Sequence, residues 1–255
     1  MSPDLALLRA LIHRSPAIAT RPGRGAPDVW IRAAESAVGP LAPSYRWWLA
    51  EYNDGELDGV PLATLAAPGE RGADDLTARW RLDGDRLCFH ADPDAGDTYH
   101  FALDRPAEPG TGGEYVVIRR DRRSGAEEAV ADSFAGFLTV RVARTTELGD
   151  GPTPALARLW RSTPGVCLPN GVVIYGPQDL LERNETYEVR EYQPDWVLIG
   201  DDSGGHGLFM RRDGGAGAAV YSLDLGAGDH DIDSPGVGEW LTDDLPAWLA
   251  GMAAG

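Results

Sequence analysis

The run VLIGDDSGGHGLFM (Val197–Met210) sets Ser203 behind two aspartates and ahead of two glycines. With one aspartate fewer it would read GDSGG, a run that surrounds nucleophilic serines. Such a serine needs a base within hydrogen-bond reach and a carboxylate that orients the base. His13, His90, His100, His206 and His230 are the available imidazoles, and none stands in a recognisable catalytic context. The doubled Asp201–Asp202 favours a tight acidic turn. In that reading Gly204 and Gly205 take positive φ between strands that end at Gly200 and restart at Gly207.

A second chemical possibility is DHDIDSPGVGEW (Asp229–Trp240), where Asp229, Asp231 and Asp233 match positions one, three and five of a calcium loop. The sixth position should be Gly and is Ser234, and the twelfth should be Glu and is Trp240, so the loop is expected to be solvated acid without metal. Glu188 and Glu191 are carboxylates with no placed partner. GGAGAAV (Gly214–Val220) lacks the third glycine of a dinucleotide fingerprint and precedes a strand. Cys88 and Cys167 are far apart and form no cluster, which disfavours a zinc site and predicts reduced thiols. No cofactor and no metal are expected, and the hydrolase reading of Ser203 is the weakest alternative.

Composition narrows the partners. The 255 residues carry a net charge of −17, and all 23 basic residues are Arg. Nucleic acid is disfavoured, since phosphate binding needs clustered cations. Residues 1–149 have net charge −6 and residues 150–255 have −11, so the second half is the more acidic. The opening MSPDLALLRALIHRSPA does not read as a signal peptide, because Asp4, Arg9 and His13 interrupt its apolar run. No stretch approaches a membrane helix. A cytoplasmic protein is expected.

The elements that must position these residues follow from caps, periodicity and turns. Ser2 and Pro3 suggest a helix start with Leu5, Leu8 and Ile12 on one face. RSPAIATRPGRGAPD reads as a linker. A helix over Ile31, Ala34 and Val38 should stop at Gly39–Pro40, and one from Pro43 should present Tyr45, Trp48, Leu49 and Tyr52. Residues 79–104 alternate as short strands, EYVVIRRD is the clearest strand, and Ser133 or Asp132 should cap a helix carrying Phe134, Phe137 and Leu138. After the polar TTELGDGPTP, TPALARLWRS echoes the opening helix. Strands DWVLIGDD, HGLFMRR and AAVYSLDLG follow, and GEWLTDDLPAWLAGM closes as a helical stretch. The repeated order predicts domains at 1–148, with a short N-terminal helix, and 149–255.

The segment IRAAESAVGPLAPSYRWWLAEYNDG resembles the opening of the SUKH superfamily, the Smi/Knr family of cell-wall regulators and bacterial toxin-immunity proteins. Glu35, Gly39, Leu41, Pro43, Tyr45, Leu49, Tyr52 and Asn53 carry the resemblance, with Ala42 where Pro is usual. EYVVIRRDRRSGAEEAVADSFAGFL is similar to the family's last strand, turn and helix. YGPQDLLERNETY and the run from VLIGDDSGGHGLFM through AAVYSLDLG are similar to its central strands, where a turn rich in Gly and Asp is a hallmark. The resemblance implies an α+β fold of two tandem SUKH-like domains, each a curved mixed or antiparallel sheet flanked by helices. It implies a non-enzymatic immunity protein that neutralises a cognate bacterial toxin. A regulatory or scaffold module of the same family, unrelated to a toxin, is the alternative.

Acidic charge suits a basic toxin such as a nuclease. The expected partner-binding residues are Asp201, Asp202, Asp229, Asp231, Asp233 and Glu239 on one shared acidic rim, with Tyr221 and Trp240 as anchors. The partner is a protein, with no nucleic acid and no membrane.

Overall fold

The computed structural model describes residues 2–21, 23–65, 81–92, 94–107, 112–215, 218–227 and 230–253. Contacts divide the chain into two compact units, residues 1–3 with 12–138 and residues 4–11 with 139–255. Helix α1 (Leu5–Arg14) therefore contributes to both. It starts slightly later than expected. Asp4 Oδ1 accepts the N–H groups of Ala6 and Leu7 at 2.9 and 3.1 Å, so the cap is Asp4 and not Ser2. Leu8, Leu11 and Ile12 are buried and Leu5 is exposed.

In the first unit, β1 (Ile18–Thr20), β2 (Gly55–Leu57) and β3 (Val60–Pro61) form a small antiparallel sheet in that order. β1 lies in the stretch read as a linker. Its formation depends on Ile18 facing Leu57 across the sheet, a pairing that no local signal announces. Helix α2 (Asp28–Val38) ends at Gly39, whose φ of 91° suits glycine. Helix α3 (Pro43–Glu51) starts on Pro43, as expected, and Tyr45, Trp48, Leu49 and Tyr52 are buried.

A five-stranded antiparallel sheet follows in chain order: β4 (Arg81–Asp83), β5 (Arg86–Ala91), β6 (Thr98–Pro106), β7 (Tyr115–Arg120) and β8 (Glu127–Ala131). The beginning of the expected ARWRLDG strand, residues 78–80, lies outside the described residues. β8 was not expected, because only Val130 among its residues has a strong strand preference. Helix α4 (Phe134–Arg144) is capped by Ser133, whose Oγ accepts the N–H of Gly136 at 2.8 Å.

The core between helix and sheet is aromatic. Tyr45 lies 5.0 Å from Phe101 and 4.9 Å from Phe134 between ring centres, and Phe89 stacks on Phe101 at 4.3 Å. Burying each such ring contributes about 1.5–3 kcal/mol. Glu114 is fully buried at the N-termini of α3 and α4. Its carboxylate accepts the Ser44 N–H at 2.7 Å, the Ser44 hydroxyl at 2.9 Å and the Phe134 N–H. Those N–H groups have no partner within their own helices, so one carboxylate ties two helix starts together.

In the second unit, helix α5 (Pro154–Trp160) is capped as expected by Thr153, whose Oγ1 accepts the Leu156 N–H at 3.2 Å. Then come β9 (Val166–Cys167), β10 (Val173–Ile174), α6 (Pro177–Thr186), α7 (Val189–Tyr192), β11 (Trp196–Asp201), β12 (His206–Arg211), β13 (Val220–Asp224), β14 (Glu239–Thr242) and α8 (Leu245–Ala253). The strands form one antiparallel sheet in the order β14-β13-β12-β11-β10-β9.

Two expectations are corrected here. YGPQDLLERNETY is not strand: after Tyr175 it folds into α6, with Pro177 in the first turn and Leu180 buried. GEWLTDD is strand before it is helix, because Trp240 and Glu239 pair with Tyr221 and Ser222, and the helix begins only after Asp244, whose Oδ1 accepts the Ala247 N–H.

The segment 145–150 is a run of turns. The hydroxyls of Thr145 and Thr146 donate to the carbonyls of Val142 and Ala143 at 2.8 and 2.6 Å. The expected boundary at 148/149 falls in this run, and the division between the units falls earlier, between Leu138 and Thr139. The fold is α+β, and its sheets are antiparallel throughout the described residues. No described helix is long and apolar enough to cross a membrane.

Candidate protein-binding surface

Two side-chain amides place the critical strands. β10 accompanies β11 only over Gly200 and Asp201, with the Tyr175 N–H reaching Ile199 O. Beyond that point Asn184 takes over. It accepts the Leu198 N–H at 3.1 Å and donates to Leu198 O at 2.7 Å, as a neighbouring strand would. Asn53 does the same for Leu65 in the first unit, at 2.8 and 2.9 Å.

β11 ends in the acidic turn. Asp201 accepts the Ser203 N–H at 2.8 Å on one oxygen and the Tyr175 hydroxyl on the other. Burial, and then the neighbouring Asp201, push the Tyr175 phenol well above its usual range. Asp202 Oδ1 accepts the N–H groups of Gly204 and His206, and those two bonds hold its carboxyl below the usual range, the His206 bond more strongly. Ser203 itself takes the left-handed conformation at φ 57°, with Gly205 at φ 107°. Gly204 does not, contrary to expectation: the aspartate bonds fix the turn so that the serine is the left-handed residue. Ser203 Oγ donates to Gly171 O at 2.7 Å, so a carbonyl and not a base holds its proton. His206 Nδ1 stands 3.3 Å from Asp202, on the turn's own carboxylate.

The other acidic loop lies elsewhere. Asp231 Oδ1 accepts the Asp233 N–H at 3.0 Å, and Asp233 pairs with Arg211 at 2.5 Å. Arg211 is the last residue of β12 and faces Trp196, the first residue of β11. Gln193, just before β11, binds the same loop by donating to His230 O at 2.5 Å. Asp201–Asp202 and Asp231–Asp233 thus sit at opposite ends of β11, roughly 17 Å apart at a strand's usual rise. The single shared rim is not formed. Asp229 lies outside the described residues. No group of three or more His, Cys, Asp or Glu that could hold a metal comes together among the described residues. Cys88 is buried, Cys167 is exposed, and both are free thiols.

Tyr221 and Trp240, in contrast, do come together. They are cross-strand partners, and the Tyr221 ring meets Trp196 edge-on at 5.3 Å. The Arg211 guanidinium lies 4.9 Å from the centre of the Trp196 ring, a cation–π contact. Gly238 lies between Ile232 and Tyr221: a Cβ built there would stand 2.8 and 3.5 Å from their side chains, which places the Asp231–Asp233 loop beside the aromatic pair. Trp240 is 56% exposed, and Glu239 beside it is also exposed. The surface is therefore an exposed indole on the strand next to a packed Tyr221–Trp196–Arg211–Asp233 series. Trp196 and Arg211 were not picked out from the sequence. Their only signal there was position, at the matching ends of two strands that turned out to pair.

No family model matches this chain, and no curated protein matches its sequence.

Proposed function

We propose that this chain is a cytoplasmic, non-enzymatic immunity protein of SUKH type. Its two tandem domains would bind and neutralise a cognate bacterial toxin, the second domain supplying the contact. The observation that carries the reading is Trp240, an exposed tryptophan held beside Tyr221 on the more acidic half of the molecule. Tyr and Trp dominate the binding energy of protein interfaces. The exposed Glu239 beside Trp240, which forms no ion pair among the described residues, favours a basic partner such as a nuclease domain and speeds its encounter, and Asp231 and the Arg211-paired Asp233 contribute less. The Asp201–Asp202 turn supports the reading less, because its carboxylates are already committed to Tyr175 and backbone N–H groups.

The test is co-production of the chain with the toxin domain encoded beside it, read as survival of the host, together with a binding titration of the purified pair. Survival and a one-to-one complex support the reading. A toxin domain that neither binds nor is neutralised overturns it.

A further inference from the structure

The outer strands of the two large sheets are finished differently. β8 carries Glu127 and Glu128, and each is met by arginine from its own sheet. Glu127 pairs with Arg86 at 3.2 Å and Arg120 at 2.9 Å, and Glu128 with Arg119 at 2.9 Å. β14 has no such partners. Its cross-strand neighbours are Val220, Tyr221 and Ser222, and the one arginine of β12 that reaches an acid, Arg211, is held by Asp233. Among the described residues Glu239 on β14 and Asp243 just after it form no ion pair, and Trp240 between them stands open.

The remaining outer strand of that sheet, β9, has two residues, too short to template another chain. β14 pairs on one side only, so a row of its backbone N–H and C=O groups is outside the ladder. Leu241 is the extra residue of a bulge opposite Val220 and Tyr221, which leaves Glu239 and Trp240 as the accessible end.

We propose that β14 receives an extended, basic segment of a partner protein, which adds to the sheet as a further strand. Its arginine or lysine side chains take the place beside Glu239 and Asp243 that Arg86, Arg119 and Arg120 take beside β8, and one of its side chains packs on Trp240. This rests on the protein-binding reading above and names the chemistry and backbone form of what binds. Main-chain bonds supply the register, and charge and the indole supply the selection.

The test uses the full chain and a fluorescent peptide of alternating Arg and Val, with two controls: Glu in place of Arg, and alternate backbone nitrogens methylated. Anisotropy should show binding of the basic peptide, weakened at least about tenfold for either control and about tenfold by Trp240→Ser or Glu239→Arg. The melting temperature of Trp240→Ser should match the parent, since the ring is exposed. A methylated peptide that binds as well as the parent peptide overturns strand addition. Undiminished binding by Trp240→Ser overturns the site. A concentration-dependent dimer that Trp240→Ser abolishes means a second copy takes the edge, which also overturns the proposal. A toxin domain that still binds both variants overturns the edge and leaves the immunity reading standing. Peptide docking without any toxin binding supports the edge and overturns the immunity reading.

Discussion

β8 and β14 each close one side of their sheet and each lead into a helix, yet they handle acidic charge in opposite ways. On β8 the glutamates are paired inside the sheet, Glu127 in a lattice with Asp83, Arg86, Asp104 and Arg120, and Glu128 with Arg119. On β14 charge is left facing water beside a tryptophan. Partly exposed ion pairs contribute little to stability, about 0–1 kcal/mol each, so the β8 lattice does more to make that edge unattractive to other chains than to hold the fold. The β14 edge lacks that protection. Among the described residues the two edges thus differ in whether acidic charge has an internal partner, and only β14 sets unpaired acid next to exposed aromatic area.

The largest effect expected from this contrast lies under the closed lattice. His100 is buried on β6 and its Nε2 shares a hydrogen bond with Thr98 at 2.8 Å, while Nδ1 has no partner. Burial, with Arg120 adding repulsion, lowers its pKa from 6.5 to about 4. The folded state therefore holds the neutral ring. Its contribution is complete above pH 6.5 and is lost as pH falls toward 4. His100→Leu should remove up to about 3 kcal/mol of acid destabilisation across that window, measured as urea midpoints against pH. An unchanged pH slope would contradict the assignment. Glu114 works in the other direction: burial raises its carboxyl, so its contribution is fullest in acid and falls as pH rises through its folded value.

At the open edge, Trp240→Ser should weaken binding of the basic segment about tenfold, about 1.4 kcal/mol, with the urea midpoint unmoved. A comparable loss of stability would mean that the ring is core. Glu127→Gln on the closed edge should do the reverse, costing about 1 kcal/mol of stability by leaving Arg86 and Arg120 with one partner fewer, and leaving partner binding unchanged. The smallest effect is at the turn. Ser203→Gly should stabilise by a few tenths of a kcal/mol, because glycine meets φ 57° without strain while the Gly171 bond is lost. Gly205→Val should destabilise at φ 107°.

What was legible in the sequence was local. Pro43, Ser133 and Thr153 marked helix starts because their caps and fixed φ act within one turn of the chain. The apolar runs of β7, β11 and β12 declared themselves by strand preference. The misses were long-range or ambiguous. β1 needs β2 to exist, α6 hid behind its unremarkable polar length, and β14 was absorbed into the helix beyond it because Leu241, Leu245, Trp248 and Leu249 fall at helical spacing. The candidate surface was half legible. Tyr221 and Trp240 could be named as aromatic anchors, but their pairing, the Trp196 and Arg211 support, and the separation of the two acidic loops are consequences of register.

Hydrogen–deuterium exchange of the protein, free and saturated with the basic Arg–Val peptide, tests the contrast most directly. Strand addition at the open edge slows exchange across Glu239–Thr242 and leaves Glu127–Ala131 unchanged. Protection that appears on β8, or a bound complex in which β14 exchanges as fast as in the free protein, would contradict it.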